Sequence, residues 1–222
     1  MGESKADTDR LVREVSKVLN GKLNSKLIYT NHYKSYSIDC NVEVVQEGQR
    51  VRRMQKLIIQ LFCPNPFWSD IDELKEEVAL WEGAFEFPLE IPEDTGIEMG
   101  YRVSNLIMNV VNDGDVECGM TIEFLCTGTV KNPSLFNVYT REFIKVNQTF
   151  IAGDKLSITT QFANKRIELT RGGTTTNILH YMDINSTFLQ LDVGDNVFRY
   201  DADEGIDNLE VSIYYKPQYL GV

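Results

Sequence analysis

The spacing of apolar positions changes character once along this chain. Between residues 7 and 20, Leu11, Val12, Val15, Val18 and Leu19 fall at i, i+1, i+4, i+7 and i+8, one stripe of a helix. Asp7, Thr8 and Asp9 are good N-terminal caps, and Gly21 stands where a left-handed residue would close the helix. The stripe predicts a helix docked by one face on a sheet, since its polar face is not basic enough for a membrane surface. Residues 26–30 and 36–45 then read as strands, broken at Asn31-His32-Tyr33 and again at Gln46-Glu47-Gly48-Gln49. Leu57, Ile58, Ile59, Leu61 and Phe62 predict a third, buried strand. It must end at Pro64 and Pro66, which cannot donate to a ladder, and Phe67 and Trp68 form an apolar anchor at its exit. This proline stop is the expected seam between two units.

Beyond the seam, Ser69 or Asp70 could cap a short helix through residue 77, and residues 78–81 look like the start of a strand. Residues 85–92 alternate apolar and acidic positions and close on proline, an extended connector, with a loop at 93–96. Short alternating runs follow at 106–111, 120–126, 143–147, 156–162, 166–170, 188–191, 197–200 and 209–215, separated by turn signals at 112–115, 131–133, 152–154, 171–173, 192–196 and 203–207. Strands this short and evenly spaced, with no helical period between them, predict an antiparallel sandwich or jelly roll. The expected chain is therefore mainly β: a partial N-terminal α+β domain over 1–68, a connector over 69–103 and a C-terminal β-sandwich over 104–222. The first domain, one helix and three strands, reads as incomplete, as if strands belonging ahead of the helix were absent.

Composition adds the solvent class. With 222 residues, 42% hydrophobic and 25% charged, the chain has the make-up of a globular protein. No apolar run nears the roughly 20 residues of a membrane helix, so no membrane partner is expected. Residues 1–7 lack the apolar core of a secretion signal, and Gly2 lacks the Ser or Thr pattern of a myristoylation signal. Cys40, Cys63, Cys118 and Cys126 show no Cys-x-x-Cys spacing and are expected to be reduced, mostly buried thiols of a protein made in a reducing cytoplasm.

Charge divides at the seam. Residues 1–68 hold 11 Lys+Arg against 7 Asp+Glu, whereas residues 69–222 hold 11 against 26, a balance of +4 against −15. The acidic part argues against specific nucleic-acid binding, although it suits a surface that DNA slides past. Arg50, Arg52, Arg53 and Lys56 are the dense basic cluster. Beside a hairpin such a run is ordinarily a solvated edge that discourages strand pairing. The sharper reading is a contact patch for an acidic neighbour, and a second copy of this chain is one.

The inventory argues against an enzyme. His32 and His180 lie in different units without Cys, Asp or Glu at ligand spacing, and no nucleophile elbow, phosphate loop or His-Glu-x-x-His is present. Carboxylates are scattered over loops, so a glycosidase pair is not favoured. The one metal-like string runs from Asp201 through Asp203 to Asp207, with oxygen donors alternating about Gly205. A full calcium loop would want Glu at position 212, which is Ser212, and an acidic hairpin turn is the plainer reading. No catalytic residue and no cofactor is predicted. Tyr139, Tyr181, Tyr200, Tyr214 and Tyr215 are candidates for a sugar platform, most of them needed for the core of so small a sandwich.

The strings Leu61-Phe62-Cys63-Pro64-Asn65-Pro66-Phe67-Trp68 and Phe85-Glu86-Phe87-Pro88 resemble the middle of phage distal tail proteins, the phage tail family of long non-contractile tails in phages or prophages of Gram-positive bacteria. Asn112-Asp113-Gly114-Asp115, Gly128 to Pro133, Ala152-Gly153-Asp154 and Leu191 to Asn196 resemble the same family in the same order. The resemblance implies an N-terminal domain that assembles as a hexameric ring between the tail tube protein and a tail-associated hub protein. It also implies a galectin-like sandwich that in some members holds receptor-binding parts. The implied location is the virion tail tip, assembled in the host cytoplasm. Family members begin with several strands ahead of the helix, so this chain is expected to be N-terminally truncated. The competing expectation is a non-catalytic carbohydrate-binding β-sandwich module.

Overall fold

A computed structural model describes residues 5–19, 21–22, 24–51, 54–77, 81–82, 101–102 and 106–222. The chain divides into two units, Met1–Ile71 with Tyr219–Val222, and Asp72–Gln218.

In the first unit, α1 (Lys5–Val18) precedes β1 (Ser25–Thr30), β2 (Ser35–Val51), β3 (Met54–Phe62) and β4 (Trp68–Asp70). Gly21 does not take the left-handed conformation expected of it. A Cβ there would lie 2.6 Å from the Val42 carbonyl oxygen, so close backbone approach is what requires glycine. The central strand is β2. Its first half pairs with β1 from Thr30↔Ser35 to Ser25↔Cys40 and, on the other side, with β4 through Tyr36↔Asp70 and Ser37↔Ser69. Its second half pairs with β3 from Asn41↔Phe62 to Val51↔Met54.

The break expected at 46–49 does not form, because β2 runs through it. The turn-forming residues are absorbed as a register irregularity between Glu47 and Arg50. Nor is β3 the buried strand its composition suggested. Ile58 is 48% exposed and Phe62 57%, while the small core of this unit gathers Ile38, Cys40 and Val42 of β2. The reason is topological: β3 pairs with β2 alone, and a two-stranded ribbon cannot bury both of its faces.

The second unit holds β5 (Leu74–Glu77), β6 (Trp81–Glu82), β7 (Tyr101–Arg102), β8 (Ile107–Asn112), β9 (Met120–Cys126), β10 (Val130–Lys131), β11 (Ser134–Asn137), β12 (Phe143–Lys145) and β13 (Thr149–Phe150). It continues with β14 (Lys155–Thr159), β15 (Arg166–Arg171), β16 (Thr174–Asn177), β17 (Gly194–Asp201) and β18 (Leu209–Tyr215). One sheet runs β12-β11-β17-β8 and the other β16-β15-β14-β9-β18-β5, with antiparallel pairing in both. Inward residues of both sheets, among them Val110, Leu135 and Phe198 from the first and Ile122, Phe124, Leu156 and Ile213 from the second, form one buried cluster. That is a β-sandwich. After it comes β19 (Gln218–Tyr219), which follows β4 in the sheet order, so Tyr219 belongs to the first unit.

Two local expectations are corrected. The helix predicted over 69–77 is absent: Ser69 and Asp70 pair with β2, and residues 74–77 pair with the end of β18, so sheet edges override the capping signal. The strand predicted at 188–191 is not one. Leu189 and Leu191 are buried, but Leu191 makes only an isolated bridge to Cys118. The extended connector at 85–92, the loop at 93–96 and residues 78–80 lie outside the described residues.

Candidate functional site

The chemistry of the first unit is concentrated on what it leaves uncovered. Leu11, Val15 and Val18 lie at i, i+4 and i+7 of α1, and all three are exposed, Val18 to 79%. α1 lies against β3, whose Met54, Ile58, Ile59 and Phe62 are exposed as well. The helix and the β2–β3 arm thus present apolar side chains on both partners of one contact. A scattered exposed leucine needs no explanation, whereas apolar residues gathered on neighbouring elements mark an interaction surface.

Of the basic cluster, Arg50 is not a free charge. Its Nη1 donates to Asp9 Oδ1 at 2.8 Å, tying the arm to the first turn of α1. Lys56 lies exposed on β3, and Arg52 and Arg53 lie outside the described residues. Phe67 and Trp68 are half-buried, with Trp68 ending 6.2 Å, centroid to centroid, from the ring of Tyr29 on β1. Asn65 Oδ1 accepts from the Phe67 N–H at 3.3 Å, which shapes the bend between the prolines.

A second cluster fastens the end of the chain. Asp70 is buried, and its Oδ2 accepts from Lys34 Nζ at 2.6 Å and from the Tyr219 hydroxyl at 3.4 Å. Lys34 Nζ also reaches the Tyr219 hydroxyl at 3.2 Å, and the Tyr36 and Tyr219 rings meet edge to face at 5.3 Å. Burial alone would lower the Lys34 pKa, but its hydrogen bonds to Asp70 and Tyr219 outweigh this and hold it above the usual value. Nothing in the local sequence pairs Tyr219 with Lys34, so this cluster was not foreseen.

The acidic string in the second unit is a turn with counter-charges. Asp203 accepts from Asn132 Nδ2 at 2.8 Å and from Lys145 Nζ at 2.7 Å, which together hold its carboxyl below the usual range. Lys131 Nζ reaches Glu204 Oε1 at 2.8 Å, and Asp201 Oδ1 accepts from the Ala202 N–H. Asp207 lies on a short 3-10 turn at residues 206–208. Among the described residues, no group of three or more His, Cys, Asp or Glu is placed to hold a metal ion.

The tyrosines proposed as a platform separate by burial. Tyr200 and Tyr215 are buried in the core, and the Tyr215 hydroxyl donates to the Val111 carbonyl at 2.9 Å. Tyr139 and Tyr181 are exposed, Tyr181 against the His180 ring at 4.2 Å, and Tyr214 lies under Lys75. His32 is exposed in the β1–β2 turn.

Residues 113–219 match the family model described as the siphovirus-type tail component, C-terminal domain. Among solved structures, the chain resembles the Dit protein of phage SPP1 (gp 19.1), described as a paradigm of the hub adsorption apparatus in phages infecting Gram-positive bacteria. The TM-score is 0.69 at 14% identity, covering 99% of this chain and 75% of that one. It also resembles a chain of the phage P2 baseplate in its activated conformation with calcium, with TM-score 0.56, 13% identity and coverage of 100% and 78%. The strontium form of that baseplate gives TM-score 0.55 at 12% identity, covering 100% and 77%. None of the curated proteins compared with the chain is a match.

Proposed function

Because residues 113–219 match the family model of the siphovirus-type tail component, C-terminal domain, we propose that the chain is a structural scaffold of the phage tail tip. The match supports the reading of a phage tail or baseplate component. The finer reading is a ring of identical subunits, built through the first unit, which joins the tail tube to a hub protein.

The observation that supports this reading is the exposed apolar side chains of α1, Leu11, Val15 and Val18, and of β3, with Ile58 and Phe62 on one side of the strand and Ile59 on the other. Burying such half-exposed side chains is worth about 1 kcal/mol each, a sum of the size needed to offset the lost freedom of association. The occupant is a second copy of this chain. The part of the sequence that carries these side chains holds a balance of only +4, a small like-charge repulsion for two first units that meet. Arg50 and Lys56, with Arg52 and Arg53 between them in the chain, are candidate contact residues of this interface, and Phe67 and Trp68 would hold the base of the arm. A surface built for burial suits a role without catalysis.

The test is to add the purified chain to assembled tail tubes from the same phage genome and to view them by negative-stain electron microscopy. The scaffold reading predicts a cap on one end of each tube. Bare tubes, together with a bound oligosaccharide on a glycan array, would replace it with the carbohydrate-binding module.

A further inference from the structure

We propose that Cys40 and Cys63 are a redox staple, two thiols that close to a disulfide across the base of the β2–β3 arm. The ladder of β2 with β3 begins at Asn41↔Phe62 and Val42↔Leu61. Continued one step past the end of β3 at Phe62, the same register would set Cys40 against Cys63, on the face shared by Val42 and Leu61. Opposed residues of an antiparallel pair have Cα atoms about 4.5–5.5 Å apart, inside the span of about 4.4–6.8 Å that a disulfide bridges. The Cys40 thiol is pushed up by burial first and by the neighbouring Cys63 next. Both cysteines are free thiols in this structure, Cys40 buried and Cys63 partly exposed.

The position gives the bond a consequence. Cys40 is the residue at which β2 leaves β1, through Ser25↔Cys40, and takes up β3. The register irregularity between Val42 and Val44 follows directly. A covalent link here fixes the arm where it leaves the small sheet, and its loop encloses the whole arm. Cys118 and Cys126 have no such role, since both are buried in the sandwich core and burial pushes each thiol up to about 12.

The chemistry is thiol–disulfide exchange with a small-molecule disulfide such as oxidised glutathione. The Cys63 sulfur, the more accessible, attacks one glutathione sulfur; the S–S bond breaks and one reduced glutathione leaves with a proton. The Cys40 thiolate then attacks the Cys63 sulfur of the mixed disulfide and a second reduced glutathione leaves. The protein dithiol is oxidised, losing two electrons and two protons, and one oxidised glutathione is reduced to two thiols. Cys40 reacts as thiolate, so the second step quickens as pH rises toward its raised pKa. In a reducing compartment the pair stays open, and an oxidising medium closes it. This chemistry does not depend on the tail-tip reading.

The test is to equilibrate the full chain with glutathione buffers from reducing to oxidising, quench with acid, alkylate, and map peptides by mass spectrometry without reduction. The expected product is a Cys40–Cys63 linked peptide pair with Cys118 and Cys126 still alkylated. Closure should raise the thermal midpoint by several degrees in the wild type and not in Cys63→Ala, a partly exposed position at which the fold tolerates truncation. A stable glutathione adduct on Cys63 without the linked pair, or a Cys63–Cys63 link between two chains, would overturn the proposal. So would a chain that remains fully alkylated after prolonged oxidation at pH 9.

Discussion

Asp154 is buried in the sandwich and accepts a two-pronged hydrogen bond from Arg171, which is half-exposed, as well as the Ile151 N–H at 2.9 Å. The Arg171 hydrogen bond leads in holding its carboxyl below the ordinary value, against the opposing pull of burial. Asp154→Asn removes the charge and leaves a guanidinium that solvent can reach, so it should cost about 2 kcal/mol in urea unfolding at pH 7. Because the folded pKa is depressed, this stabilisation is complete above the unfolded pKa of about 3.9 and is lost as pH falls through the folded value. The difference between wild type and Asp154→Asn should therefore shrink below about pH 4 and stay constant from pH 5 to 8. Gly205 makes a second residue-scale case. It takes φ +76°, and a Cβ there would lie 2.0 Å from the Thr129 carbonyl oxygen. Gly205→Ala should lower stability by about 2 kcal/mol or more, read as a fall in the thermal midpoint that added calcium does not restore. A recovery with calcium would return the acidic string to the metal reading.

At the scale of elements, the joint between α1 and the arm rests on the Asp9–Arg50 pair. Arg50 is largely covered and Asp9 is exposed, so a double-mutant cycle with Asp9→Ala and Arg50→Ala should give a coupling of about 0.5–1 kcal/mol. A coupling near zero would mean that this pair adds nothing to holding the helix. The elements also mark what a sequence can disclose. α1 was legible because a 3.6-residue period over two to three turns has no other reading, and β9 and β18 because their alternation is unbroken. β16 was not, since Thr174–Asn177 is exposed throughout and carries no alternation; it forms because β15 offers an edge across the Gly172–Gly173 turn. The false strand at 188–191 has the right alternation without a ladder, and the false helix at 69–77 has the right caps without freedom from neighbouring strands. In both, pairing partners distant in sequence decided the outcome.

For the whole molecule, the sandwich was legible and the return of Tyr219 to the first unit was not, because its partners Lys34 and Asp70 lie far back in the chain. The same limit governs the site. The apolar stripe of α1 and the apolar run of β3 are plain in the sequence, but sequence names apolar residues without saying what covers them, and both were expected to be buried inside one chain. Their exposure is what supports the contact surface proposed for the scaffold. The most direct measurement is solution mass by light scattering at physiological salt, for the wild type and for a variant carrying Ile58→Asp and Phe62→Asp. Both substitutions fall on exposed positions, so the variant should remain folded, with a circular dichroism spectrum unchanged. The account predicts a closed multimer, six chains by the family resemblance, for the wild type and a single chain for the variant. A wild type that stays monomeric at high concentration, or a variant that assembles as the wild type does, would contradict it.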